Sequence, residues 1–253
     1  AVARWYDSTI TLLHVCSVAP VAAYAPGLPV LPSAILTPGD RSALLTAMNR
    51  FAETEAGGSV PIALEVGEGD VTAEILTRAT TMACDLLVMG THGRSGFERL
   101  VLGSVTEKVL RKAACPVLSV PRHIADAVPA PPVLFRRILC AVDFADCSMH
   151  ALNYAMSLAQ EAGARLTLVH VIEVPPEVPV GLHETVLGGP RGSREYIVAA
   201  EEAGRALLND AVPESVRAYC AVETVLATGK PYREILRLAA EQETDLLVMG
   251  IHG

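Results

Sequence analysis

At 253 residues the chain has room for two domains of the usual ~100 to 150 residues each. Half of it is hydrophobic and only 4% aromatic, so its cores must be built from Val, Leu, Ile and Ala, as in buried parallel sheet with covering helices. A net charge of −8 excludes the broad basic surface of a general nucleic-acid binder, and no apolar run reaches the ~20 residues that span a bilayer, so a cytoplasmic protein without nucleic-acid or membrane partners is expected.

Residues 1–6 read as the tail of a helix, followed by a strand over 8–15 that ends in His14 and Val15. Five prolines from Pro20 to Pro38 dictate a long irregular loop. Asp40 is placed to cap a helix carrying Ala43, Leu44, Ala47, Met48 and Phe51, which Gly57 and Gly58 end. A strand over 61–65, a turn over 67–70 and a helix over 71–82 follow. The run from Asp85 to Met89 is continuously apolar after its first residue and predicts a parallel strand covered on both faces.

That strand stops at Gly90 and opens the most informative stretch of the chain. Gly93 offers a second position where backbone can approach a ligand closely, and Gly103-Ser104 marks a helix start. Ser104 and Glu107 fit a capping box, with Val105, Val109, Leu110 and Ala113 on an apolar face. From Gly90 to Lys112 there are five basic residues (Arg94, Arg99, Lys108, Arg111, Lys112) against two acidic ones. A glycine-flanked helix N-terminus with unpaired amides and local positive charge suits a phosphate. A solvated helix between two glycine turns is the plainer alternative. The residues 116–121 then form a last strand whose flanking prolines suit a sheet edge.

A linker over 125–134 separates two copies of one pattern, 1–124 and 135–253. The second copy has a strand ending Ala141-Val142-Asp143, a helix over 147–162 closed by Gly163, and a strand over 165–171. Its His170-Val171 repeats His14-Val15 at a distance of 156 positions. After a proline-rich loop come a helix over 195–208, a strand over 222–226 and a helix over 231–241. Asp245 to Gly253 then repeats Asp85 to Gly93, differing only where Ile251 replaces Thr91. The first copy has no counterpart of 135–156, and the second none of 94–121. A central strand cannot be missing from a stable sheet without exposing ladder groups, so a longer polypeptide, or elements supplied by another chain, is expected.

These residues resemble a tandem universal stress protein. The resemblance rests on Gly90, Gly93, Gly103 and Ser104 at the family's spacing of glycine, two residues, glycine, nine residues, glycine and Ser or Thr, with Asp143, Val15, Val171 and the run 116–120 in support. It implies two tandem flavodoxin-like or Rossmann-like α/β domains, each an open five-stranded parallel sheet of order 3-2-1-4-5 with helices on both faces and a ligand at the switch point. It further implies ATP, with magnesium, as ligand. Gly90 would lie by the ribose, Gly93, Arg94, Gly103, Ser104, Val105 and Thr106 by the phosphates, and the Val15 backbone by adenine. In the second copy Ala141 and Asp143 would serve from the first strand, Val171 at the base, and Gly250 and Gly253 would begin the phosphate loop. Pairing of the two copies, and a homodimer, are implied as well.

Other residues carry plainer readings. His14 and His170 suit hydrogen-bonded structural histidines, and His92 suits a phosphate contact or loop ordering equally. Six scattered cysteines without a CxxC pair read as buried thiols and argue against zinc. No GxxxxGK loop, arranged Ser/His/Asp set or water-positioning base points to a dedicated hydrolase. A regulatory nucleotide-binding protein is therefore expected. A nucleotide-dependent transferase or slow ATPase, and an interaction module without a ligand, stand as alternatives.

Overall fold

A computed structural model describes residues 2–17, 36–56, 60–91, 103–121, 135–173 and 189–251. The expectations for His92, Gly93, Arg94, Gly253, the linker and most of both proline-rich loops lie outside the described residues. The chain divides into two compact units, 1–130 and 131–253.

The second unit contains β5 (Arg137–Ala141), α5 (Asp146–Ala162), β6 (Arg165–Ile172), α6 (Gly189–Asp210), α7 (Glu214–Arg217), β7 (Val222–Thr228), α8 (Pro231–Glu241) and β8 (Leu246–Met249). Its strands form one parallel sheet in the order β7-β6-β5-β8. That is the expected 3-2-1-4 arrangement, with β5 in the centre. Ile138, Leu139 and Cys140 are at most 1% exposed, because β5 has strands on both edges and helices on both faces. Leu139, Ala141, Val169, Ala227 and Leu238 form a core cluster, against which Val171, Val225 and Ile235 pack. Each fully buried leucine contributes roughly 1.5–3 kcal/mol of transfer free energy. Helix α5 buries Ala151, Leu152, Ala155 and Ala159, one stripe at helical spacing, and ends on Gly163 at φ 61, where a side chain would be strained.

The first unit contains α1 (Val2–Trp5), β1 (Ile10–Ser17), α2 (Pro38–Ala56), β2 (Ile62–Gly69), α3 (Val71–Thr81), β3 (Leu87–Gly90), α4 (Ser104–Leu110) and β4 (Val117–Val120). Here β1 pairs with β2 and β3 with β4, both in parallel, as two separate two-stranded sheets. These are the 3-2 and 4-5 pairs of the expected order. Among the described residues no strand joins them where β5 stands in the second unit. The consequence is exposure: Val88 on β3 is 59% exposed and Ile10 on β1 is 37% exposed. The expectation that β3 is covered on both faces therefore fails, since covering it needs a neighbour on each edge and a helix on each side.

Local chemistry corrects several boundaries. Thr37, not Asp40, caps α2: the Asp40 amide donates to Thr37 Oγ1 at 3.2 Å, and the Thr37 amide and hydroxyl donate back to Asp40 Oδ2 at 3.2 and 2.7 Å. This is a reciprocal capping box one turn earlier than expected, with Pro38 at the first helical position. Helix α4 is capped by Gly103 without a side-chain bond, so Ser104 lies inside the first turn and the expected Ser104–Glu107 box does not form. Glu107 instead pairs with Arg111 at 3.0 Å. Strand β2 runs on through Gly69, α6 starts earlier than its apolar stripe, and the single-turn α7 carries too little periodicity to be foreseen.

Candidate functional site

In the second unit the carboxyl ends of β5 and β8 bring together two residues that are far apart in sequence, Asp143 and Gly250. Ala141 pairs with Met249, so Asp143, two residues on, and Gly250, one residue on, leave adjacent strands at the same end of the sheet. This is the switch point, where the chain leaves β5 for one face of the sheet and neighbouring strands feed the other. Ala141 itself is 9% exposed and belongs to the core cluster.

Asp143 is held by the start of α5. Its Oδ1 accepts from the Ala145 amide at 3.0 Å, and its own amide donates to Ser148 Oγ at 3.3 Å. The Ser148 hydroxyl in turn donates to the Ala145 carbonyl at 2.9 Å. The Ser148 hydroxyl beside it, then the Ala145 amide and more weakly His170, hold the Asp143 carboxyl below the usual carboxylate range. It is thus an exposed, ionised carboxylate fixed in direction, able to accept from sugar hydroxyls or to face a cation.

The surroundings of Gly250 explain why a glycine must follow β8. A Cβ there would meet the Ser148 amide nitrogen at 2.8 Å and the Cys147 carbonyl carbon at 2.9 Å. Backbone meets backbone, and no side chain can yield. The end of β8 and the first turn of α5 are therefore in direct contact beside Asp143.

Two residues of this arrangement escaped the sequence reading. Ser148 is 4% exposed and organises the Asp143 turn; a serine five residues after a strand-end Asp, at a helix start, was the available signal. Phe144 takes φ 67, rare for a bulky residue and costing on the order of 1–3 kcal/mol. Its ring lies 4.7 Å from that of His170. No sequence signal marks a phenylalanine for left-handed backbone. His170 Nδ1–H donates to the Val142 carbonyl at 2.9 Å, as a structural histidine should. Val171 pairs with Ala227 and packs on the core cluster.

In the first unit Gly90 ends β3 opposite Val120. Thr106, 4% exposed, donates its hydroxyl to the Gly90 carbonyl at 2.9 Å, and the Gly103 amide donates to the Thr91 carbonyl at 2.7 Å. The beginning of α4 is thereby tied to the end of β3, which brings Gly90, Gly103, Ser104 and Thr106 together across the intervening sequence. Val105 is half-buried on the same helix. Val15 pairs with Gly67 two residues before the end of β1, in the other two-stranded sheet. No strand brings Val15 and Gly90 into one sheet among the described residues.

Comparison with known proteins agrees with the repeat. The universal stress protein family pattern matches residues 1–121 and again 134–253. A universal stress protein of Methanocaldococcus jannaschii is 39% identical over 120 residues, covering 47% of this chain and 68% of its own. One from Mycolicibacterium smegmatis is 25% identical over 265 residues, covering all of this chain and 83% of its own. Among solved structures, a universal stress protein of Archaeoglobus fulgidus shares the fold at a TM-score of 0.54 and 21% identity, covering 83% of this chain and 66% of that one. Two matches that together span nearly the whole sequence, each on one repeat, establish that this chain belongs to the universal stress protein family, with two copies of its domain in tandem.

Proposed function

We propose that the protein binds an adenine nucleotide, ATP with magnesium, as a regulatory ligand in a stress response rather than as a rapidly consumed substrate. The observation that carries this reading is the meeting of ionised Asp143 with Gly250 at the switch point, where glycine backbone lies directly against the first turn of α5. Open α/β sheets bind ligands at this place. Asp143 offers acceptors for ribose hydroxyls, and Gly90, Gly93, Gly103 and Ser104 keep the family spacing for phosphates in the first copy.

Magnesium fits the donor chemistry in one way. Among the described residues no group of three or more His, Cys, Asp or Glu is placed to hold a metal. A magnesium ion would therefore keep its waters and phosphate oxygens as ligands, with Asp143 as the protein's carboxylate. When bound it would offset phosphate charge. Among the described residues no helix is long and apolar enough to cross a membrane.

Strand β8 stands at the edge of the described sheet, paired with β5 alone, which supports association with a second copy through strand edges; sedimentation of the purified chain checks this. The nucleotide reading is tested by chromatography of small molecules released on denaturing the purified protein. Adenine nucleotide in near-stoichiometric amount is expected. Its absence, together with no uptake of added ATP and magnesium, would leave the interaction-module reading in its place.

A further inference from the structure

One side chain, His170, holds both chain neighbours of Asp143. On one side its Nδ1–H donates to the Val142 carbonyl at 2.9 Å. On the other its ring lies 4.7 Å from that of Phe144, at an interplanar angle of 46°. Val142 is 5% exposed and gives its amide to the Val169 carbonyl at 2.9 Å, so consecutive residues of β6 satisfy both of its backbone groups just past the end of β5. A buried carbonyl without a donor is costly, and the imidazole supplies one where the β5–β6 pairing stops. Phe144 then takes φ 67, a backbone conformation that persists in a bulky residue only where its surroundings enforce it. The tilted ring pair with His170 is such a contact.

His170 is itself fixed. It is half-buried on β6 and pairs with Leu226 of β7. Gly204 of α6 lies against both: a Cβ there would come 2.9 Å from Leu226 Cδ1 and 3.5 Å from His170 Cδ2. The ring therefore has little room to swing away from Val142 and Phe144. The next residue along β6, Val171, is the one placed at the base in the nucleotide reading, so His170 joins the base end of that site to its sugar end. The same His-Val pair in the first unit carries an exposed histidine, His14.

Resting on the nucleotide reading above, we propose that His170 is a positioning residue for the ligand: by holding Val142 and Phe144 it fixes the direction in which the Asp143 carboxylate leaves the sheet. Ser148 and the Ala145 amide complete the arrangement from the α5 side, at 3.3 Å to the Asp143 amide and 3.0 Å to its Oδ1. Those two hold the carboxyl low, with His170 a lesser contributor, and both depend on the path of the chain through Val142 and Phe144. His170 acts through Asp143, not on the nucleotide. A carboxylate already aimed before binding loses less freedom when the ligand arrives, which strengthens binding without a new contact.

The test uses variants of the full chain, followed by calorimetric titration with ATP and magnesium and by NMR titration of the Asp143 carboxyl. An Asn side chain carries its amide donor near the place of Nδ1, whereas Gln carries it one bond further out. His170→Ala and His170→Gln should weaken binding by about fivefold or more and raise the Asp143 midpoint toward 3.8. His170→Asn, which keeps the donor, should recover most of both. A histidine that only fills space would lower the stability of all three variants while the folded proteins kept their affinity and their Asp143 midpoint, and that result would overturn the proposal. If His170→Ala does not fold, the contrast between Asn and Gln decides the matter. If the unsubstituted chain does not bind ATP, the nucleotide reading fails, and the midpoint alone still judges His170: raised in the Gln variant it upholds the positioning of Asp143, unmoved it refutes it. His14→Ala should leave the Asp143 midpoint where it is, and a matching shift there would also overturn the assignment.

Discussion

Strands β1 and β6 both carry a His-Val pair near their carboxyl ends, and β3 and β8 lie in the same Leu-Leu-Val-Met-Gly sequence, yet the two units treat them differently. In the second unit β5 lies between β6 and β8, and residues 166–169 of β6 are all buried. In the first unit β1 has no buried residue. His170 bonds to the Val142 carbonyl just beyond β5, whereas His14 at the equivalent place is exposed. The lesson is that a strand's apolar sequence sets what it can bury, while its neighbours decide what it does bury. The same holds for function: Asp143 comes with the central strand, and the fuller glycine pattern lies in the other copy.

The largest expected effect follows from that difference. Leu139→Ala, at a fully buried position of β5, should destabilise the second unit by ~2–5 kcal/mol. Val88→Ala, at a 59% exposed position, should stay within about 0.5 kcal/mol. Urea denaturation followed by hydrogen exchange in each unit would measure both, and equal losses would break the comparison. Gly250→Ala should cost ~1–3 kcal/mol, because its Cβ meets the Ser148 amide with no flexible side chain to give way.

Much of this was legible from residues alone. The β5 run Ile138-Leu139-Cys140, the α5 stripe and Gly163, and the apolar run Leu246 to Met249 that repeats Leu86 to Met89 each carry a local physical signal, and each forms the element expected of it. The cap of α2 was misplaced because Thr37 and Asp40 both suit that role, and only the hydrogen bonds show their division of labour. The Ser104 box failed because Gly103 takes the extended cap conformation itself. Phe144 and the exposure of β3 were illegible, since strained backbone and missing neighbours are set by tertiary context rather than by residue type.

Smaller effects sharpen the two sites. Thr106→Val keeps the shape but removes the hydroxyl that holds Gly90, and should cost about 1 kcal/mol in the first unit alone, read as faster exchange in β3 and α4. The smallest concerns pH. The Asp143 carboxyl is lowered in the folded state, so its contribution is present above the unfolded value near 3.8 and is lost as pH falls through the folded value. Asp143→Asn should therefore flatten the stability profile only in that acid window, and an NMR titration of Asp143 should find its midpoint below 3.8.

Calorimetric titration of the chain with ATP and magnesium, repeated on Asp143→Ala, tests the central claim most directly. The account predicts saturable binding that weakens at least tenfold, about 1.4 kcal/mol, when the carboxylate is removed while the fold of the second unit persists. Equal affinity in the two proteins, or no binding by either, would contradict it.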